Sequence, residues 1–152
     1  MSDVSLRAMT RSDIPSVIQI EENSYSHPWT VGIFQDCIKT GYASWVLVKE
    51  NEIIGYLILS TGANEAHLLN VCIASQYRRQ GIAKKVLKQV IEVLTEKNFS
   101  VLFLEVRQSN HSAIRLYQAL GFERIGLRKD YYQSDDGREH ALTFKYQLAS
   151  AQ

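Results

Sequence analysis

Two stretches of this 152-residue sequence place residue types at spacings that could do chemistry. The first runs Arg78-Arg79-Gln80-Gly81-Ile82-Ala83-Lys84-Lys85, after the apolar, β-branched run Leu68–Ala74 and before an apolar pattern of helical period. A strand that turns into a helix at a glycine leaves the first helical amides without intrahelical partners, at the positive end of the dipole. The glycine also lets a ligand come close to the backbone. The chemistry on offer is the holding of phosphate, by amides first and by Arg78, Arg79, Lys84 and Lys85 second. A plain strand-to-helix turn with solvated arginines is the competing account. The second stretch is Ser100-Val101-Leu102-Phe103-Leu104-Glu105-Val106, an apolar run with one carboxylate inside it. A carboxylate within a buried strand is costly unless it is paired, hydrogen-bonded or faces a cleft, and burial raises its pKa toward the range of a useful base. Glu105 is therefore a candidate base, and a salt bridge to Arg107 or another cation competes with that role.

The remaining reactive types carry less. Cys72 lies within an apolar run, where a small buried thiol is ordinary, and no base that would make it a nucleophile is visible. Cys37 and Cys72 are the only cysteines and show neither CxxC nor Cys/His ligand spacing, so neither a disulfide framework nor a metal site is expected. His67, His111 and His140 offer no convergent pair and read as structural or surface residues, and His27 reads as structural. The loop Tyr25-Ser26-His27-Pro28-Trp29 could grip a peptide, because aromatic rings bury large area with few torsions to freeze. Trp29 plugging the core is the plainer alternative.

The elements that must position these residues follow from period and punctuation. A chain 45% hydrophobic and 22% charged is long and apolar enough for one domain with a sizeable core. A formal net charge of +1 gives no global argument for nucleic acid or an acidic membrane. No apolar run approaches a membrane span and the N-terminal residues lack a signal-peptide core, so a soluble cytoplasmic protein is expected. The pattern predicts a strand over 4–8, then a helix capped near Ser12 with Pro15 in its first turn and Glu21 and Glu22 on its solvated side. A second helix follows Thr30, and strands over 43–49, 52–60 and 65–74 make an antiparallel meander. An amphipathic helix over 81–97 leads to a strand over 100–106, parallel to its predecessor. A helix capped by Asn110 and stopped by Gly121 follows. Two last strands, over 122–127 and 140–148, flank a long connection with a turn at Asp136-Gly137.

This order, with Arg78-x-x-Gly81-x-Ala83 and with Leu104-Glu105-Val106-Arg107 followed by Asn110, Ala113, Leu116-Tyr117 and Gly121-Phe122, resembles the GNAT superfamily, the Gcn5-related N-acetyltransferases, over nearly the whole chain. Pro28-Trp29-Thr30 and Tyr131-Tyr132 with Asp136-Gly137-Arg138-Glu139 resemble the branch that acetylates protein N-termini. The resemblance implies a single α/β domain over 1–152 with a mixed sheet in the order β-α-α-β-β-β-α-β-α-β-β. It implies acetyl-CoA as co-substrate and no metal, with the N-terminal alanine of a small-subunit ribosomal protein, the eighteenth, as acceptor. Neither nucleic acid nor membrane is implied as a partner. By the same resemblance Val71, Cys72 and Ile73 would pair with the pantetheine arm and present an amide to the acetyl carbonyl. Arg79, Gln80, Gly81, Ile82, Ala83 and Lys84 would hold the pyrophosphate, and Asn110 would also contact the cofactor. Glu105 would accept a proton and Tyr117 donate one, while Tyr25, Trp29, Tyr131 and Tyr132 would flank an extended peptide. Ala83 stands where many members carry glycine.

Overall fold

Residues that tolerate a left-handed backbone close most of the turns in the computed structural model, which describes residues 4–149. Glu50 and Asn51, with φ of 51° and 66°, join β2 (Ala43–Lys49) to β3 (Glu52–Gly62). Ala63 and Asn64, with φ of 52° and 64°, join β3 to β4 (Glu65–Ile73). Both are two-residue hairpins whose twist demands positive φ at each residue; asparagine supplies it in place of glycine at the second position, and Glu50 and Ala63 adopt it at the first. The element order is β1 (Ser5–Ala8), α1 (Ile14–Ser24), α2 (Val31–Thr40), β2, β3, β4, α3 (Ile82–Glu96), β5 (Val101–Arg107), α4 (His111–Leu120), β6 (Glu123–Ser134) and β7 (Gly137–Gln147). This is the α/β order expected from the sequence, and the strands form one mixed sheet, β1-β2-β3-β4-β5-β7-β6.

Two compact units are distinguished by their internal contacts. One holds the chain up to Ser60 together with Leu69–Ala83. There β1 runs antiparallel to β2, from Ser5↔Val48 to Ala8↔Trp45, and β2 antiparallel to β3, from Ala43↔Leu59 to Lys49↔Glu52. α1 and α2 bury Ile14, Val17, Phe34 and Cys37 in one core with Val46, Tyr56, Ile58 and Cys72. α1 starts one residue later than its Ser12 signal suggests, because Arg11–Asp13 form a 3-10 turn first. Asp13 fixes that turn by accepting from the Thr10 amide (2.8 Å) and from both terminal nitrogens of Arg7 (2.8 and 2.9 Å). Thr30 caps α2 by accepting from the Ile33 amide at 3.2 Å.

The other unit holds Thr61–Leu68 and the chain from Lys84 onward. β4 pairs parallel with β5 from Glu65↔Val101 to Leu68↔Leu104, as a crossover through a helix requires. β5 pairs antiparallel with β7 from Val101↔Gln147 to Arg107↔Ala141, and β7 pairs with β6. α3 buries Val86, Leu87, Val90 and Leu94, the stripe its spacing predicts. Asn110 caps α4, and Gly121 ends it at φ 105°.

Two expectations are corrected. The long connection over 128–139 is instead a paired hairpin: Tyr132 faces Glu139, Gln133 faces Arg138 and Ser134 faces Gly137. Its sequence lacks a period-2 apolar signal because its side chains make cation-π and charged contacts instead: Arg107 of β5 with Tyr132 and Glu139, and Arg128 with Tyr131 along β6. Asp130, at φ 52°, sits in the irregularity that shifts the register between Arg128 and Tyr132. Glu21, expected on the solvated side of α1, is 2% exposed. Its place at the spacing Ile14, Val17, Glu21 puts it on the buried stripe.

Candidate active site

After β4 the chain makes a 3-10 turn over Ser75–Tyr77 and then holds Arg79 at φ 63° and Gly81 at φ 75° before α3 opens at Ile82. A non-glycine residue held left-handed is a local strain of the kind found at ligand sites. Left-handed residues on either side of Gln80, followed by a helix N-terminus with no acidic residue in its first turn, form a backbone suited to an anion. Arg79, Gln80 and Lys84 are exposed, and among the described residues their side chains bond to nothing. Arg78 departs from the expected pattern. Its guanidinium donates to the Ile73 carbonyl (2.9 Å) and to Ser24 Oγ (2.8 Å), which commits it to the protein.

Val71, Cys72 and Ile73 close β4 in the same unit. A Cβ on Gly55 would lie 2.5 Å from the Cys72 carbonyl oxygen, so only glycine allows the backbones of β3 and β4 to come this near. The Tyr25 hydroxyl donates to the Val71 carbonyl at 3.4 Å. The Cys72 thiol faces Ser24 Oγ at 3.2 Å and the Ile73 carbonyl at 3.8 Å, and neither group is a base that could make it a nucleophile. Trp29 packs against the core, the plainer of its two expected readings. Its half-buried ring tilts against Phe34 at 5.3 Å, and its amide donates to Glu21 Oε2 at 2.8 Å.

In the other unit β5 alternates: Leu102, Leu104 and Val106 are buried, while Phe103, Glu105 and Arg107 point to the opposite face. The Glu105 side chain is 12% exposed and lies 3.6 Å from His67 Nε2 and 3.8 Å from Arg128 Nη1. Among the described residues it accepts no hydrogen bond, so its oxygens remain open to an incoming N–H. Arg107 is not its partner. Arg107 donates to Glu139 at 3.3 Å and to the Gln133 carbonyl at 2.8 Å, with its guanidinium 4.5 Å from the Tyr132 ring centre. Burial alone would raise the Glu139 carboxyl, but hydrogen bonds from Ser109 and Arg107 outweigh it and hold the group below the usual carboxylate range. Burial, then the nearby Glu105 charge, pushes the Tyr132 hydroxyl well above its ordinary value, so Tyr132 stands beside Glu105 as a neutral phenol. Tyr131 is 46% exposed and packs edge-on against Tyr132 at 5.0 Å.

Tyr117 projects from α4 with its ring 5.6 Å from Phe122 and 6.4 Å from Phe144. Burial pushes its hydroxyl up to about 12. That hydroxyl bonds to nothing among the described residues, yet no buried side-chain oxygen or nitrogen there lacks a partner, so it reaches accessible space. Asn110 Oδ1 accepts from the Ala113 amide at 3.2 Å, which leaves its NH₂ group for a ligand. Sequence reasoning missed Glu21, Asn70 and the Arg107–Glu139 pair. The helical spacing of Glu21 was the one signal that could have found any of them.

The sequence profile of the acetyltransferase (GNAT) family matches residues 9–122. The ribosomal protein bS18-alanine N-acetyltransferase of Escherichia coli (strain K12) is 31% identical over 138 residues, covering 91% of this chain and 93% of that protein. The protein of the same name in Haemophilus influenzae is 37% identical over 131 residues, covering 86% and 89%. The crystal structure of the ribosomal-protein-S18-alanine N-acetyltransferase from Escherichia coli superposes with a TM-score of 0.91 at 29% identity, covering 99% of this chain and 97% of that one. With the profile match spanning most of its length, the chain belongs to the acetyltransferase (GNAT) family and is an N-acetyltransferase.

Proposed function

We propose that this enzyme transfers acetyl from acetyl-CoA to the α-amine of the N-terminal alanine of ribosomal protein bS18, in the cytoplasm, by direct attack in a ternary complex. The observation that carries this reading is a likeness to bS18-alanine N-acetyltransferases extending over nine tenths of both chains.

Acetyl-CoA, the family's donor, brings its acetyl group as a thioester. The amides from Arg79 to Lys84 suit its diphosphate, with the free Arg79 and Lys84 side chains adding charge. A backbone amide within Val71–Ile73 takes the negative charge that develops on the acetyl oxygen. An α-ammonium with a pKa of about 7.7–8.0 must lose a proton before its nitrogen can attack. The ammonium gives one proton to solvent, and Glu105 takes a second from the now neutral nitrogen, directly or through one water, as the N–C bond forms, and later passes it to solvent. When the C–S bond breaks, Tyr117 gives its hydroxyl proton to the departing sulfur and recovers one from solvent. A hydroxyl pushed up to about 12 remains protonated through the neutral range, as a donor must. Tyr25, Trp29, Tyr131 and Tyr132 flank the peptide, and no covalent acetyl-enzyme is required.

The test is acetyl transfer from labelled acetyl-CoA to peptides beginning with alanine, serine, glycine or methionine, the alanine peptide carrying the bS18 N-terminal sequence. Fastest turnover of the alanine peptide is expected. A preference for lysine side chains or for free polyamines would overturn the reading.

A further inference from the structure

From the buried carboxylate of Glu21 we infer a positioning residue for the peptide-binding loop, one that sets peptide affinity without touching peptide; this rests on the peptide-acetylating function proposed above. Glu21 is 2% exposed, and a carboxylate so placed must be fully hydrogen-bonded to persist. Its Oε1 accepts from the Tyr56 hydroxyl and from Asn70 Nδ2 (3.0 Å), and its Oε2 accepts from the Trp29 amide (2.8 Å). The three donors come from three places. Tyr56 is a fully buried core residue of β3, Asn70 immediately precedes Val71 on β4, and Trp29 lies in the loop between α1 and α2. Burial, with the Cys72 and Glu21 charges next, pushes the Tyr56 hydroxyl well above its ordinary value, so Tyr56 serves Glu21 only as a donor.

Residues 26–30 have no regular structure, and among the described residues the bond from the Trp29 amide to Glu21 is the one that ties their backbone amides down. β4 by contrast is held by its ladder whether or not Asn70 bonds to Glu21. Loss of the carboxylate therefore frees the loop backbone, with the Trp29 ring on Phe34 as its remaining anchor, and leaves the strand in place. The consequence falls on peptide binding, which must then bear the cost of ordering the loop, and spares acetyl-CoA.

The experiment is steady-state kinetics on Glu21→Gln with the bS18 N-terminal peptide, alongside calorimetry with acetyl-CoA. A glutamine keeps the shape but turns one acceptor into a donor facing donors. One lost hydrogen bond corresponds to a peptide KM raised roughly fivefold to tenfold, with kcat and acetyl-CoA affinity within about twofold of the parent. Glu21→Gln combined with Asn70→Asp restores a donor facing an acceptor at the same place, and it is expected to recover most of the peptide KM. Unchanged peptide KM in Glu21→Gln, or equal losses for both substrates with no recovery in the double variant, would overturn the inference. Should Glu21→Gln not fold, Glu21→Asp, whose shorter side chain draws the carboxylate back from the Trp29 amide while keeping its charge, is expected to raise peptide KM about twofold to threefold, and no change would be contradictory. A parent enzyme that acetylates no N-terminal peptide would instead defeat the function on which the inference rests.

Discussion

At the scale of single residues, surroundings decide which side chain can hold or give a proton. Tyr117 keeps its proton because burial pushes its hydroxyl up to about 12, and that oxygen has no protein partner to satisfy. Tyr117→Phe is expected to lower kcat roughly tenfold to a hundredfold with acetyl-CoA affinity unchanged, as rapid-quench kinetics and calorimetry would register. Asp13 shows the opposite shift. The hydrogen bond from Arg7, with help from Thr10 and against burial, lowers its carboxyl from an ordinary 3.8 to about 2. A lowered folded-state pKa adds stability that is present above the ordinary carboxylate range and is lost as pH falls from there toward 2. With Arg7 half exposed, the contribution is on the order of 1 kcal/mol. Asp13→Asn should remove it near neutrality, and denaturant unfolding between about pH 5 and pH 2.5 should show a shallower acid decline than in the parent. Glu105 was legible in the sequence because a carboxylate inside an apolar strand is out of place. Tyr117 was legible only through the family resemblance, since an aromatic on a helical apolar stripe looks like core. Glu21 was misread because a carboxylate next to Glu22 looks solvated until its helical angle is counted.

At the scale of elements, two glycines do different work. The Cβ of Gly55→Ala would meet a backbone carbonyl that cannot rotate away, so β3 and β4 would have to part. The expected cost is about 1–3 kcal/mol, read as a lowered melting temperature, with weaker acetyl-CoA binding because the displaced carbonyl belongs to the proposed amide-presenting strand. Gly81 has open space around its missing Cβ but a φ of 75°, so Gly81→Ala strains only the backbone turn. About 1 kcal/mol of strain should appear chiefly as an acetyl-CoA Kd raised roughly fivefold, measured by calorimetry, with little change in melting temperature. Helices and the meander were legible because caps, stripes and hairpin asparagines are local signals. The hairpin of β6 and β7 was not, because Arg107 over Tyr132 and Arg128 over Tyr131 are contacts of the folded state that leave no period in the chain.

At the scale of the whole molecule, the α/β class and the order of elements followed from the sequence and its family resemblance. The insertion of β7 between β5 and β6 did not, since strand neighbours far apart in sequence are chosen by the fold as a whole. A net charge of +1 leaves ligand attraction to local groups such as Arg79 and Lys84. Acetyl-CoA affinity should therefore fall with added salt over the range where the Debye length shrinks from about 10 Å to about 3 Å, and a titration at rising ionic strength checks this. The measurement that bears most directly on the proposed chemistry is kcat of Glu105→Gln for the bS18 N-terminal peptide, taken beside the calorimetric Kd for acetyl-CoA. A fall in kcat of roughly a hundredfold to a thousandfold at unchanged Kd is predicted; turnover within about twofold of the parent would contradict Glu105 as the base.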